Sequence, residues 1–223
     1  MGVCADCCES VGAHEQAIKA CRDYLFLTNP EIDRANLVYT KGGRIDGTCS
    51  WIKDAAAYQS WQQGDTQLLW ICAGPGKGKT MLSIFLTQEL ERDVQVIYYF
   101  CSGEDEKRNN ASAILRGLIW QITMKRPETT RHLLQYFATP ETSLAALSSS
   151  ETLWRVFVTL LRDPGHGPTY CVLDGLDECD EESRWWLITK IVDLDPADPS
   201  KPSMGQLRLV IVSRELPGLE GST

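Results

Sequence analysis

From Thr66 onward the chain alternates short β-branched and aromatic runs with longer stretches of helical apolar spacing, and nothing else restricts its fold as strongly. Apolar runs at 67–72, 94–101, 170–174 and 207–213 have the length of buried strands. Between them, 80–92 spaces Leu82, Phe85, Leu86 and Leu90 as a helix does, and 111–125 carries Ile114, Leu115, Leu118, Ile119 and Ile122 on one stripe. Pro127 stops that helix, and a shorter one is expected over 128–137. Ser148-Ser149-Ser150-Glu151 reads as a capping box ahead of Leu153, Trp154, Phe157, Val158 and Leu161. A helix over 181–193 opens with carboxylates in its first turn, where the helix dipole favours them. Turns are expected at 163–168 and in the loop of Pro196, Pro199 and Pro202. Strand–helix alternation of this kind implies an α/β fold, with a parallel sheet covered by helices on both faces.

Residues 1–65 read as a helical lead-in and linker, 66–216 as the core and 217–223 as a tail. In the lead-in, 11–27 is helical with Ile18, Cys21 and Leu25 on one side, and Asn29-Pro30 breaks it. The stretch 31–50, with Lys41-Gly42-Gly43-Arg44, looks like a loop. A second helix over 50–63 would turn Trp51, Ile52, Ala55 and Trp61 inward, and Gly64-Asp65 closes it.

Composition narrows the function. The 223 residues suffice for one sizeable core, and Lys+Arg 22 against Asp+Glu 30 leaves a formal net charge of −8. So acidic a chain is unsuited to general binding of nucleic-acid backbones, which depends on basic surface. A local phosphate site remains open to it, because backbone amides and one lysine suffice. No run approaches the ~18 apolar residues that span a bilayer, so no transmembrane segment is expected. No secretory signal is evident, and Asp6 stands where myristoylation wants Ser or Thr. The cysteines number nine, with Cys72, Cys101 and Cys171 inside strand-like runs, as expected of reduced, packed thiols in a cytoplasmic protein. Cys4, Cys7 and Cys8 stand apart. Cys4-x-x-Cys7 is half a zinc site without a second pair, and His14 alone does not complete it, so an acylated, disordered tip is expected instead.

The segment with the most chemistry is Ala73-Gly74-Pro75-Gly76-Lys77-Gly78-Lys79-Thr80, followed by Met81. It fits the phosphate-binding pattern A/G-x-x-x-x-G-K-S/T, between a buried-strand run and an apolar-periodic helix. Glycines are needed there because the backbone must curl tightly and turn successive amides toward one anion. Lys79 would reach the β- and γ-phosphates, the Thr80 hydroxyl would ligate Mg²⁺, and the following helix would add the positive end of its dipole. The bland alternative is an ordinary glycine turn. Downstream, Thr169-Tyr170-Cys171-Val172-Leu173-Asp174-Gly175-Leu176-Asp177-Glu178 is an apolar strand ending in a carboxylate. Asp174 is expected to be the Mg²⁺ partner through water, against the alternative of a capping or turn aspartate. Asp177 and Glu178 are candidates to orient or deprotonate an attacking water, or else solvated turn residues. In Leu207-Arg208-Leu209-Val210-Ile211-Val212-Ser213-Arg214, Arg214 could sense a γ-phosphate from the end of its strand, or be a surface arginine.

These three elements in this order resemble the NACHT family of STAND (signal-transducing) P-loop NTPases, most closely the fungal members and the nephrocystin-3-like N-terminal domain. The residues carrying the resemblance are Gly74-Pro75-Gly76-Lys77-Gly78-Lys79-Thr80, Asp174-Gly175-Leu176-Asp177-Glu178 and Val212-Ser213-Arg214. The acids set beyond Gly175 are the diagnostic part. Asp46-Gly47-Thr48-Cys49-Ser50-Trp51-Ile52 and Ile114-Leu115-Arg116-Gly117-Leu118-Ile119-Trp120-Gln121 agree with it, and the similarity covers about 20–215. The resemblance implies a three-layer P-loop sandwich of the additional-strand (ASCE) type, with strand order 5-1-4-3-2. The fifth strand and the winged helix of such proteins are expected to be missing here. It implies binding of ATP or GTP with Mg²⁺, slow hydrolysis, nucleotide-controlled homo-oligomerisation and a part in fungal non-self recognition. No N/T-K-x-D guanine-reading motif occurs, since Thr189-Lys190-Ile191-Val192 lacks the aspartate, which leans toward ATP. An adenine contact is sought around 44–51, against the alternative of a packed linker. Two rivals stand beside this reading: a non-catalytic interaction module or receptor fragment that holds nucleotide structurally, and a small-molecule kinase whose lid would use Lys107-Arg108.

Overall fold

The computed structural model describes residues 5–91, 95–163, 167–194 and 207–216, with side chains from Glu15 onward. The proline loop at 196–202, the tail, residues 164–166 of the 163–168 turn, Cys4, and the side chains of Cys7, Cys8 and His14 lie outside the described residues.

Among the described residues, four parallel strands, β1 (Leu68–Cys72), β2 (Gln95–Phe100), β3 (Thr169–Asp174) and β4 (Leu207–Ser213), form one sheet in the order β1-β4-β3-β2. The register aligns their carboxyl ends: Cys72 pairs with Ser213, Asp174 with Val212, and Phe100 with Asp174. Because successive side chains point to opposite faces, each strand feeds two cores. Val96, Tyr98, Phe100, Tyr170, Val172, Val210 and Val212 join one apolar cluster; Ile97, Tyr99, Cys171, Leu173, Leu209 and Ile211 join the other. The α/β architecture with both faces covered is therefore as expected.

The first face carries α3 (Ala56–Gln63) and α4 (Lys79–Leu90), which contribute Tyr58, Trp61, Leu82, Phe85 and Leu86. The second is covered by α1 (Ala5–Leu25), α5 (Ala111–Lys125), α7 (Ser150–Leu161) and α8 (Glu181–Val192). Cys21 and Leu25 of α1 are buried against α5, and hydrogen bonds run both ways: Arg22 Nη2 donates to the Thr123 carbonyl (2.6 Å) and Arg116 Nη2 to that of Tyr24 (2.7 Å).

Several local expectations are corrected. The stretch read as a loop begins with α2 (Pro30–Lys41): Asn29 and Pro30, taken as breakers, are its N-cap and first residue. The Asn29 side chain accepts from the Glu31 amide at 3.0 Å, and proline at a first helical position lacks only an amide that would go unpaired anyway. The helix expected over 50–63 is a 3₁₀ turn (Ser50–Asp54) and then α3, divided at Ala55, whose ψ of 126° is extended. Ile52 and Trp61 face inward as expected, whereas Trp51 is 59% exposed. Instead of a helix over 128–137 there is a 3₁₀ turn (Pro127–His132), and an unforeseen α6 (Pro140–Ser148) follows, capped by Thr139. The cap of α7 is Ser149, not Ser148; its Oγ accepts from the Thr152 amide at 3.1 Å, while Glu151 pairs with Lys190 and Arg155. Cys72, expected to be packed, is exposed at the strand's end; Cys101 and Cys171 are buried.

Candidate functional site

The loop between β1 and α4 is held at the sheet's carboxyl edge, where the Ala73 amide donates to the Ser213 carbonyl at 3.2 Å. Gly78, at φ 80°, takes a left-handed conformation that side chains disfavour, and from it α4 starts at once, its Leu82 amide donating to the Gly78 carbonyl at 2.9 Å. Lys79 folds back over the loop, its Nζ donating to the carbonyls of Ala73 (2.9 Å) and Gly74 (3.0 Å). These bonds keep the ammonium over the loop.

Asp174 ends β3 on the face that α4 covers, in line with Tyr170 and Val172. There its Oδ1 accepts from Ser83 Oγ at 2.7 Å. Burial, which leaves the residue 5% exposed, pushes its carboxyl up to about 6, against the pull of the Ser83 and Thr80 hydroxyls; the Glu178 charge adds to the rise and Lys41 opposes it. Ser83 was not anticipated, although it lies three residues after Thr80 on the same helix, a spacing that puts both hydroxyls on one side.

Beyond Asp174 the chain turns at Gly175, with φ 74°, into a short 3₁₀ turn, Leu176–Glu178. Asp177 is committed: its Oδ1 accepts from the Arg214 amide at 2.9 Å and its Oδ2 lies 3.1 Å from Arg214 Nε. Glu178 Oε2 accepts from the Gly103 amide at 3.3 Å, in the loop after β2. Behind this turn the buried Cys101 thiol is raised well above its ordinary value, first by its hydrogen bond to Cys179 and then by burial, in keeping with a reduced, packed pair.

One cleft of about 300 Å³ gathers these groups. Pro75, Gly76, Gly78, Lys79, Thr80 and Met81 line it from the loop, and Asp174, Gly175, Asp177, Glu178 and Arg214 from the ends of β3 and β4. Lys41, unforeseen as a site residue, completes the lining from the end of α2. Ala73 and Gly74 contribute carbonyls to Lys79, while Lys77 is not among the lining residues. Two segments weighed for contact with a ligand lie elsewhere. Arg44 stacks over the Phe85 ring at 4.8 Å and donates to the Thr48 carbonyl, as a packed linker would. Arg108 is held by Asp105 at 2.8 Å within its own loop, and neither it nor Lys107 lines the cleft.

The donor set suits a hard, oxygen-seeking cation shared with a ligand: one hydroxyl, Thr80, and one buried carboxylate, Asp174, line the same cleft. Among the described residues no group of three or more His, Cys, Asp or Glu is arranged to hold a metal alone. Nor, among them, is any helix long and apolar enough to cross a membrane.

The family model described as "Nephrocystin 3, N-terminal" matches residues 47–214. Vegetative incompatibility protein HET-E-1 of Podospora anserina is 34% identical over 167 residues, which is 71% of this chain and 12% of that protein. The chain thus corresponds to a small part of that relative's length. No solved structure matches significantly. With the segments of Ala73–Thr80, Asp174 and Arg214 all inside the matched region, the chain belongs to the nephrocystin-3 N-terminal family of NACHT-type domains.

Proposed function

We propose that this chain is the nucleoside-triphosphate-binding domain of a STAND-type signalling switch, taking ATP in preference to GTP together with Mg²⁺. The observation that supports it is the convergence of Lys79, Thr80, Asp174, Glu178 and Arg214 on one cleft at the carboxyl edge of a parallel sheet, where such folds bind ligands. In this reading the loop from Ala73 to Met81 cradles the phosphates, and Lys79 exchanges two carbonyls for the β- and γ-phosphates. Thr80 and Asp174 hold the cation, which neutralises phosphate charge when bound. Glu178, with one carboxylate oxygen on Gly103, orients the attacking water in a slow hydrolysis. Asp177 braces Arg214 to read the terminal phosphate. The position of β4 between β1 and β3 supports assigning the sheet to the additional-strand class. A homo-oligomeric triphosphate state and a cytoplasmic setting belong to the same reading through the resemblance to the NACHT family, and a role in non-self recognition through analogy with the vegetative incompatibility protein.

The test is equilibrium binding of Mg·ATP and Mg·ADP to the purified chain, with single-turnover hydrolysis and oligomer size in each. Expected are saturable binding that Lys79→Ala abolishes, hydrolysis that Glu178→Gln abolishes while binding persists, and a larger species with an ATP analogue. No binding by the wild type, or undiminished binding by Lys79→Ala, would overturn the reading. Binding without hydrolysis or a change of size would make the chain a non-catalytic, nucleotide-bound interaction module.

A further inference from the structure

The cleft contains a cation to which the proposed function gives no role. Lys41 ends α2, and that helix is clamped to the α4 face of the molecule. Arg34, earlier in α2, donates to Thr87 Oγ1 on α4 (3.1 Å) and to Oε2 of Glu91, the residue that caps α4 (2.8 Å), and its guanidinium lies 4.6 Å from the centre of the Tyr98 ring on β2. Leu37 and Val38 pack against the same core. Residues three and four apart share a helical face, so Lys41 continues the inward row of Leu37 and Val38 just where the apolar core gives way to the cleft. The backbone then departs at Gly42, with φ 85°, leaving the lysine as the helix's last side chain.

Lys41 has no hydrogen-bond or ion-pair partner among the described residues, unlike the other cations at the cleft: Lys79 is bonded to the loop carbonyls, and Arg214 is paired with Asp177. The two outer cations also come from different sides. Arg214 follows β4 on one side of β3 in the sheet, whereas α2 packs on β2 on the other. With Asp177 and Arg214 offsetting each other, the cleft is left with two carboxylates, Asp174 and Glu178, and two lysines. A triphosphate with its cation adds net negative charge to that balance, and a compact ammonium on a flexible stem is suited to meet it.

We propose that Lys41 is a second phosphate-binding lysine, which contacts the terminal phosphate of a nucleoside triphosphate from the side opposite Arg214 and so ties α2 to the triphosphate state. The proposal rests on the nucleotide-binding reading above and adds to it a discriminating contact from the N-terminal helices. A diphosphate has no terminal phosphate for Lys41 to meet, so the lysine contributes to preference between the two nucleotides more than to affinity for both.

The experiment is isothermal titration of the full chain with a slowly hydrolysed ATP analogue and with ADP, each with Mg²⁺, for the wild type, Lys41→Ala, Lys41→Arg and Lys79→Ala. Lys41→Ala is expected to weaken the ATP analogue about tenfold and ADP less than about twofold. Lys41→Arg should restore most of the loss, and the thermal midpoint without nucleotide should match the wild type, because the side chain is exposed. An unchanged ATP-analogue affinity in Lys41→Ala, or equal losses for both nucleotides, overturns the proposal while binding abolished by Lys79→Ala leaves the parent reading intact. Absence of binding by the wild type, or undiminished binding by Lys79→Ala, overturns the parent reading and this proposal with it.

Discussion

Asp174 lines the cleft, and its burial there is costly to the fold. Its carboxyl is raised from 3.8 to about 6 by burial, so the folded protein holds that proton more tightly than the unfolded chain does. Below about pH 4 both states are protonated and the group costs nothing. Between about pH 4 and 6 the unfolded chain ionises first, and stability falls as pH rises; above about 6 the full cost, on the order of 3 kcal/mol, is present. Asp174→Asn, which keeps an acceptor for Ser83, is therefore expected to raise the thermal midpoint by several degrees near pH 8 in metal-free and nucleotide-free buffer. The gain should shrink toward pH 4, and scanning calorimetry across that range checks it. A gain independent of pH would place its origin in packing rather than charge. The same substitution should remove the Mg²⁺ dependence of nucleotide binding.

At the scale of elements, the strand β2 shows how a sheet margin is closed by a helix. Gln121 of α5 is buried and mimics a neighbouring strand: its Oε1 accepts from the Tyr98 amide at 3.1 Å and its Nε2 donates to the Tyr98 carbonyl at 2.8 Å. An open strand edge would otherwise offer those groups to another chain. Gln121→Leu is expected to cost on the order of 2–4 kcal/mol, because two buried backbone groups lose partners, and to promote aggregation during urea titration. Gly117, one turn earlier, is placed by contact. A Cβ there would lie 2.6 Å from the Tyr99 ring, so α5 approaches β2 more closely than alanine permits. Gly117→Ala should therefore destabilise by roughly 1–3 kcal/mol, although alanine is the better helix former. A stabilised variant in chemical denaturation would show that the ring yields without strain.

For the whole molecule, the N-terminal helices and the sheet share their cores. Leu25 is fully buried in the cluster that includes Leu115, Ile119 and Leu173, and α2 carries Lys41 to the cleft. Leu25→Ala should lower stability by about 2–5 kcal/mol and shift one urea transition that reports α1 and the sheet together. Two separated transitions would mean that the lead-in folds as its own unit.

Legibility of these features divides along the same physical line. Period-two and period-3.6 patterns are local, so the strands at 207–213 and 170–174 and the helix α5 were legible within a residue or two, and the loop between β1 and α4 was legible because its glycines and lysine are contiguous. Asn29-Pro30 was misread because a break and a helix start use the same residue types, and the consequence was a missed α2. Ser83, Gly103 and Lys41 were not legible as neighbours of the acids, since their roles depend on contacts across many tens of residues.

By itself, then, the sequence determined the alternating strands and helices, a parallel sheet with two covered faces, and the glycine-rich loop between β1 and α4, because each is written in spacing along the chain. Only the tertiary structure decided which carboxylate is buried, that Asp177 is committed to Arg214, and that a lysine from an unforeseen helix enters the cleft. Burial and pairing are set by what the fold brings together, and no local pattern encodes them.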